Sequence, residues 1–334
     1  MKESENEIAR VAVIGTGSAG MQHLNALSKL PNVYPIAIPK RVSRLNDLKN
    51  ANYAAVSSLS EAAEIGANKC IIASDTKDHW KDCLEAFDHG LDVLVEKPMT
   101  VSTTEANDLN KACQKLNTRL YIGCLLRFSE SLQIFANQVP NIGPLHSVLI
   151  ESRSYLPDWR PNRAYRESYS ARSGEGGVLL DMIHEIDYAT WIFGFPSSVQ
   201  CKTKNLGRLG IQSEEIAELS LEIDSGCLIS INLDYITKEP IRWVRALGTN
   251  GRLDWNGITG EVTQYITNNT AQKYQSKQTP MDLFVEQAKA FVQSNQYFTH
   301  PNLVSGYEGA LSLEICEAAV RSSRNRKTEV MTQE

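Results

Sequence analysis

The sequence predicts an α/β protein: an N-terminal doubly wound parallel sheet, then a C-terminal α+β domain with an open, mostly antiparallel sheet. Up to about residue 123, short runs that are apolar on both faces alternate with helical patterns, as in a parallel sheet covered by helices. Beyond that point, longer segments with partial period-two alternation follow one another closely, which is typical of antiparallel strands. The length of 334 residues suits about two domains. We predict domains at 1–123 and 124–334, with the C-terminal helices packing back on the first.

Each predicted element rests on one of these patterns. In the first domain the predicted strands are 11–15, 34–38, 70–74, 92–96 and 119–123, and the predicted helices are 19–30, 60–66, 79–89 and 104–117. In the second domain the predicted strands are 146–155, 215–223, 226–235 and 241–248, and the predicted helices are 176–194, 281–293 and 307–321.

Composition excludes several classes of protein. The chain is 42% hydrophobic and 22% charged, with a formal net charge of −5, so it does not resemble a protein that neutralises nucleic-acid phosphates. No apolar run approaches the roughly 18 residues that span a bilayer, and residues 1–10 are polar. The seven cysteines are scattered and form no CxxC pair, which argues against a disulfide framework or a metal site. We therefore expect a cytoplasmic protein without metal, membrane or nucleic-acid partners.

A glycine-rich loop follows the first predicted strand. Gly15-x-Gly17-x-x-Gly20 comes directly after a hydrophobic strand and opens a helix, which is the context that a dinucleotide-binding Rossmann domain requires. Glycines permit a tight turn and let backbone N–H groups, here including those of Ser18 and Ala19, approach a pyrophosphate. The alternative is a strand, turn and helix with incidental glycines.

The end of the second strand indicates which dinucleotide is bound. A site for NAD usually has Asp or Glu there to hold the ribose 2′-hydroxyl, whereas this chain has Pro39-Lys40-Arg41. Either cation could pair with a 2′-phosphate, and such a charge-assisted hydrogen bond is worth about 1.5–3 kcal/mol. We predict NADP(H) in preference to NAD(H). The alternative is that both cations are solvated and the choice is made elsewhere.

Further motifs make the chain similar to one known family. In order they are Gly20-x-x-His23, Ala73-Ser74-Asp75-Thr76-x-x-His79, Glu96-Lys97-Pro98, Gly123-x-x-x-Arg127-Phe128 and Gly176-Gly177-x-x-x-Asp181-x-x-His184-x-x-Asp187. With the glycine loop they span residues 11–187 and resemble the Gfo/Idh/MocA oxidoreductases. The last third of the chain carries no motif that we can assign.

The resemblance implies a catalytic role for Lys97. Its ammonium would contact the reacting hydroxyl or carbonyl, since a cation stabilises developing alkoxide character during hydride transfer. In that family the peptide bond between this lysine and the next residue, a proline (here Pro98), is often cis. The alternative for Lys97 is a solvated charge at a strand end. The resemblance also implies a set of cofactor contacts: Ser74, Asp75, Thr76, His79, Glu96, Lys97 and Arg127.

His184 is the candidate general acid–base. Imidazole titrates near neutral pH, and Asp181 lies about one helical turn earlier and can share its face. The alternative is a structural histidine in an apolar helix. The family commonly has Asp-x-x-x-His, whereas this chain has Asp181-Met182-Ile183-His184, so the role of Asp181 is open.

The segment 153–172 is rich in arginine, tyrosine and tryptophan. Arginine suits carboxylate or phosphate, and flat aromatic faces suit sugar rings. We interpret it as a pocket wall for a polar, anionic substrate such as a sugar acid, a nucleotide-linked sugar or a nonulosonic-acid precursor. The predicted substrate contacts are Tyr155, Trp159, Arg160 and Arg166, together with Lys97, Asp181 and His184. The alternative is a surface arm for subunit contacts, with arginines paired to Glu151, Asp158 or Glu167.

These inferences converge on an NAD(P)-dependent enzyme that moves hydride between the nicotinamide and a hydroxyl or carbonyl carbon of a sugar-like substrate. One alternative is a glycosidase-type enzyme that uses the nicotinamide transiently without net redox. Another is a non-catalytic, cofactor-sensing regulator, against which the presence of both Lys97 and His184 argues. By resemblance, we expect a homodimer or homotetramer.

Overall fold

The computed structural model describes residues 8–160 and 164–332. The chain divides into two compact units, and each takes residues from two stretches of sequence. The first unit runs up to Leu125 and also includes Thr279–Ala310, whereas the second consists of Leu126–Gln278 and the chain from Leu311 onward. The chain therefore returns to the first unit after most of the second has been built.

Strands and helices follow in chain order. The strands are β1 (Ala9–Ile14), β2 (Val33–Ile38), β3 (Ala54–Ala55), β4 (Lys69–Ile72), β5 (Asp92–Val95), β6 (Leu120–Ile122), β7 (Leu145–Tyr155), β8 (Pro196–Lys204), β9 (Ile216–Ile223), β10 (Leu228–Asp234), β11 (Ile236–Gly248), β12 (Gly251–Asn256), β13 (Glu261–Ile266), β14 (Gln272–Gln275), β15 (Val304–Ser305) and β16 (Glu329–Val330). The helices are α1 (Ser18–Leu27), α2 (Arg44–Asn50), α3 (Leu59–Glu64), α4 (Thr76–Asp88), α5 (Thr103–Lys115), α6 (Glu130–Gln138), α7 (Val178–Asp181), α8 (His184–Phe193), α9 (Pro280–Gln293) and α10 (Gly306–Asn325).

The first unit is a parallel sheet with one antiparallel edge. Its strand order is β15-β6-β5-β4-β1-β2-β3, and β15 is antiparallel to β6. Strands β4 and β5 are buried along their whole length, as expected for strands with helices on both faces. The predicted Rossmann sheet is confirmed. Helix α2 was missed because Leu48 is its one buried residue, which leaves almost no apolar periodicity to detect.

Helix α9 belongs to the first unit although it lies far along the sequence. It packs against α1, and its Phe284 ring meets His23 edge to face at 5.1 Å. At the other end of α9, the ammonium of Lys69 donates to the carbonyl of Ser294 at 2.7 Å and to Asp92 at 3.2 Å. A cation suits this position because helix carboxyl ends carry partial negative charge.

The second unit is built on an open, mostly antiparallel sheet, as predicted. Its strand order is β14-β13-β12-β11-β7-β10-β9-β8-β16, and β7 and β10 pair in parallel. Strand β9 alternates strictly between buried and exposed residues, the pattern of a sheet with one face packed on a core. The backbone N–H groups of Cys201 and Thr203 in β8 donate to the hydroxyls of Ser322 and Ser323, so α10 covers part of this strand's edge.

The predicted single helix over 176–194 is wrong in one respect. It consists of α7 and α8, with Met182 and Ile183 between them. Met182 has φ −99° and ψ 29°, outside helical geometry. The break gives His184 the first position of a new helix. No helix among the described residues is long and apolar enough to cross a membrane.

Candidate active site

The glycine loop joins β1 to α1 at the carboxyl edge of the first unit's sheet. Gly15 has φ +89°, and a Cβ there would lie 2.4 Å from the carbonyl oxygen of Ala73. A Cβ on Gly20 would lie 1.8 Å from the carbonyl oxygen of Gly15. Gly17, the N-cap of α1, has no such neighbour within 4 Å. Two glycines therefore permit close packing, and the third leaves the amino end of α1, with Ser18 and Ala19, open to a phosphate.

The two predicted phosphate-binding cations differ in their surroundings. The Lys40 ammonium lies 2.9 and 3.1 Å from the two carboxylate oxygens of Asp82. Arg41 is exposed, and its side chain makes no hydrogen bond or ion pair with another described residue. Asp82 also accepts a hydrogen bond from Ser74 at 2.6 Å. Of the two cations, only Arg41 has a charge that no described residue compensates.

The turn after β4 carries the predicted contacts Ser74, Asp75 and Thr76, and the predicted contact His79 follows on α4. Asp75 is the N-cap of α4, and Thr76 begins it. His79 is 1% exposed, with Nδ1 3.0 Å from the carbonyl of Pro98 and Nε2 3.1 Å from that of Ser74. Burial lowers its pKa, although both carbonyls act in the opposite direction. Through these two carbonyls His79 joins the loop that follows β4 to the loop that follows β5.

The end of β5 carries the candidate Lys97 next to a partly buried carboxylate. Glu96 is bonded to Nε2 of His23 at 2.8 Å. Burial raises the pKa of Glu96, but the hydrogen bond and charge of His23, with the charge of Lys97, hold it below its ordinary value. Lys97 is half-buried, and the peptide bond between Lys97 and Pro98 is cis. Glu96 therefore joins α1 to the start of this loop.

In the second unit, Asp181 ends α7 and His184 begins α8. The hydroxyl of Tyr235 donates to Oδ2 of Asp181 at 2.6 Å, and both residues are buried. Burial first, and then the charge of Asp181, raises the pKa of Tyr235 well above its ordinary value. His184 is half-buried. The tyrosine fixes the carboxylate in the helix break that precedes the candidate proton-transfer histidine.

Glu214 and Tyr235 were missed by the sequence interpretation. Glu214 Oε1 accepts the N–H of Leu179 at 3.3 Å, in the first turn of α7, and a Cβ on Gly177 would lie 2.1 Å from it. Burial, together with the charge of Asp181, raises the pKa of Glu214 although backbone hydrogen bonds lower it. The sequence feature that could have located both residues is the hairpin of β9 and β10, in which Ile216 pairs with Asp234. That register brings the residues flanking the two strands to one edge.

Arg127 lies in the second unit and forms a buried ion pair. It is 2% exposed, and its Nε and Nη2 donate to Asp187 at 3.1 and 2.7 Å. The guanidinium also lies over the Trp191 ring, 5.5 Å from its centroid. Asp187 is three residues after His184 on α8. The pair therefore holds the helix that carries the histidine.

Most described arginines of the segment 153–172 have partners. Arg153 pairs with Glu151 and Asp234, and Arg172 pairs with Glu175. Nε of Arg166 donates to the carbonyl of Leu209 at 3.0 Å. Residues 161–163, which include Arg163, lie outside the described part of the chain. The pairing of Arg153 with Glu151 matches the alternative interpretation, a surface arm with paired arginines, whereas Arg172 pairs with a carboxylate that this interpretation did not name.

Arg160 differs from these three, because its side chain has no hydrogen bond or ion pair with any other described residue. It lines a hollow together with Leu156, Trp159, Tyr165, Ser168 and Ser170. The Trp159 ring meets Tyr235 edge to face at 5.4 Å. The hollow is thus linked to Asp181 through Tyr235. Tyr155, another predicted contact, lies at the end of β7, with the ammonium of Lys238 5.9 Å from its ring centroid.

The structure thus brings the predicted residues together in two groups. In the first unit, the glycine loop, Lys40, Ser74 and Lys97 follow neighbouring strands β1, β2, β4 and β5 at one edge of the sheet. In the second unit, Asp181, Tyr235 and Trp159 form a chain of contacts beside α8. The described residues contain no cluster of three or more His, Cys, Asp or Glu side chains that could hold a metal ion.

Comparisons with known proteins cover nearly the whole chain. The model of an oxidoreductase family NAD-binding Rossmann fold matches residues 9–124, and that of an oxidoreductase family C-terminal alpha/beta domain matches residues 141–332. The rhizopine catabolism protein MocA of Rhizobium meliloti is 25% identical over 252 residues, 72% of this chain and 76% of that protein. Inositol 2-dehydrogenase of Rhodococcus jostii is 20% identical, over 94% of this chain and 90% of that protein.

A solved structure extends the likeness to the fold. The WlbA dehydrogenase from Bordetella pertussis, in complex with NADH and UDP-GlcNAcA, matches with a TM-score of 0.81 at 20% identity. The match covers 98% of this chain and 100% of that one.

Replacing Arg127 with Met should destabilise the protein, because Asp187 would remain buried without its main cation. We expect the free energy of unfolding to fall by about 3–5 kcal/mol, measured by urea unfolding. The double variant Arg127→Met/Asp187→Leu should regain most of this loss, and Arg321→Met, at an exposed ion pair, should change little. A loss in Arg127→Met no larger than in this surface control would contradict the structural role.

The raised pKa of Glu214 predicts a pH dependence of stability. The folded state holds a proton on this carboxyl above the ordinary pKa of 4.5, so stability falls as pH rises from that value through the folded pKa. Glu214→Gln removes this titrating carboxyl. In urea unfolding, the free energy of unfolding of the variant minus that of wild type should therefore increase between about pH 4.5 and neutral pH. Glu218→Gln, at an exposed position of β9, is the control. A difference in free energy of unfolding between Glu214→Gln and wild type that does not change with pH would contradict the raised pKa of Glu214.

Proposed function

This chain belongs to the Gfo/Idh/MocA family of nicotinamide-dependent oxidoreductases, which act on CH–OH groups, and we propose that its substrate is a sugar or a sugar acid. The main support is Lys97, at the end of β5 in the sheet that carries the glycine loop at the end of β1. Inositol 2-dehydrogenase, a relative over most of the chain, is named for a polyhydroxylated ring. The proposed reaction moves hydride between a sugar carbon and the nicotinamide.

The residues of the first unit fit a bound dinucleotide. Any side chain at Gly15 or Gly20 would collide with backbone, whereas the space above Gly17 is open, as a pyrophosphate at the amino end of α1 requires. Arg41 offers an uncompensated charge at the end of β2. We propose that NADP(H) is preferred over NAD(H), and that Arg41 carries this preference.

The proposal gives catalytic roles to Lys97, His184 and Asp181. When bound, the nicotinamide accepts or supplies the hydride. Lys97 stabilises negative charge on the substrate oxygen, since an ammonium favours alkoxide character. His184 accepts or returns the hydroxyl proton. Asp181, held by Tyr235 at 2.6 Å, orients the substrate beside the start of α8.

The surface around Trp159 and Arg160, rather than the small hollow itself, is the proposed site for the anionic part of the substrate. Arg160 supplies a charge that no described residue neutralises, and Trp159 supplies a flat apolar face. Arg166 and Tyr155 belong to the wall of this site in the proposal, although Arg166 also holds the carbonyl of Leu209. UDP-GlcNAcA, the ligand in the WlbA structure, is a sugar acid of this general chemistry.

The proposal extends to location and assembly. The seven cysteines are buried free thiols, which suits a reducing compartment such as the cytoplasm. We propose a homodimer or homotetramer there, which light scattering on the purified chain would establish.

Replacing Lys97 or His184 with Ala should stop turnover and leave cofactor binding unchanged. We expect losses in kcat of about 100-fold or more for Lys97→Ala and about 100- to 10,000-fold for His184→Ala, measured by nicotinamide absorbance with the best substrate from a panel of sugars, sugar acids and nucleotide sugars. Lys77→Ala and His146→Ala, at exposed positions, are the controls.

Two outcomes would contradict this mechanism. Retained turnover in both variants would remove Lys97 and His184 from the reaction. Product formation without a stoichiometric change in nicotinamide absorbance would replace net redox with transient use of the cofactor.

Replacing Arg160 with Met should raise KM for substrates with a carboxylate or phosphate by about 10- to 100-fold, because a charge-assisted hydrogen bond is lost. The KM for a neutral sugar and the kcat should change little. Arg208→Met, at an exposed position in the same unit, serves as the control. Equal changes for charged and neutral substrates would contradict the proposed anion contact.

A further inference from the structure

Asp82 contacts residues on both sides of the glycine loop. In the sheet of the first unit, β2 and β4 lie on either side of β1. Lys40 follows β2 and Ser74 follows β4, and both side chains donate to the Asp82 carboxylate of α4. One carboxylate therefore joins the two loops that flank the phosphate-binding turn.

This contact changes the charge available at the end of β2. Asp82 is 3% exposed, whereas the Lys40 side chain is 43% exposed. The pair therefore presents an ammonium towards solvent while the compensating carboxylate lies directly behind it. Its net charge is zero, so a phosphate near this position gains little from Lys40. Arg41, next in the chain, keeps its full charge.

The same pair still offers a hydrogen-bond donor. An ammonium has three N–H groups, and the two Asp82 oxygens account for two of them. The third can donate to a neutral hydroxyl. A lysine fixed in this way suits the ribose 2′-hydroxyl of NAD, a contact that a carboxylate usually provides in other dinucleotide sites.

We propose that Asp82 is a specificity-determining residue for the dinucleotide, which limits the preference for NADP(H) by neutralising Lys40. This inference rests on the proposed dinucleotide binding. With the carboxylate present, discrimination depends on Arg41. Without it, Lys40 becomes a second effective charge for the 2′-phosphate.

Fluorescence titrations of the full chain with NADPH and NADH at low salt test the proposal. The measured quantity is the ratio of the Kd for NADH to the Kd for NADPH. In Asp82→Asn this ratio should rise about tenfold through tighter NADPH binding, and added salt should reduce the rise. Asp88→Asn, an exposed position at the end of the same helix, removes the same charge and should leave the ratio unchanged.

The double variant Lys40→Met/Asp82→Asn decides between pair neutralisation and direct contact of Lys40 with the phosphate. Neutralisation predicts a ratio close to wild type, because both the charge and its compensation are removed. A ratio about tenfold below wild type would instead mean that Lys40 contacts the 2′-phosphate in the wild-type protein, and would overturn the proposal. An unchanged ratio in Asp82→Asn would also overturn it.

These outcomes are distinct from a failure of the proposed function. A wild-type chain that binds neither NADH nor NADPH would contradict dinucleotide binding itself. A general loosening of the fold would weaken both dinucleotides alike and leave the ratio constant, which counts against the role of Asp82.

Discussion

The hydrogen bond between His23 and Glu96 is the contact on which the first unit's candidate site depends. His23 lies on the helix that the glycine loop opens, and Glu96 directly precedes Lys97. A buried carboxylate needs a partner, because an unpaired charge away from water costs several kcal/mol. The contact that satisfies Glu96 therefore also fixes α1 relative to the end of β5. Phe284 of α9 closes over the same histidine, which explains why a helix so late in the sequence belongs to this unit.

The second unit surrounds His184 with paired acidic residues in the same way. Glu185 pairs with Arg242 at 2.9 Å, Asp187 pairs with Arg127, and Asp181 accepts from Tyr235. Each partner comes from an element other than the α7–α8 segment, so that segment is fixed at several points at once. Such fixation matters for a proton-transfer group, because its geometry must be set before the substrate arrives. The shortened spacing before His184 is accommodated by the break at Met182 rather than by a distorted helix.

The sequence alone was enough to predict the strands and turns that depend on a local pattern of residues. The strands of the first unit carry continuous apolar runs, and Gly15 and Gly20 proved to be in close contact with backbone, as their motif implied. It did not predict contacts between residues far apart in the chain, such as Lys40 with Asp82 or Tyr235 with Asp181. Strands β8, β12, β13 and β14 were also missed, because polar residues interrupt each of them and leave no continuous apolar run to detect.

The same limit explains why counting cations in a sequence overestimates the charge of a site. Lys40, Arg127 and Arg166 were all predicted to face ligands, yet each donates to a carboxylate or a backbone carbonyl. A folded chain pairs most of its partly buried charges, because leaving one uncompensated is expensive. The cations that can recognise an anionic ligand are those that the fold leaves without such partners. Among the predicted residues that the structure describes, Arg41 and Arg160 meet this condition, one at the dinucleotide loop and one at the aromatic hollow.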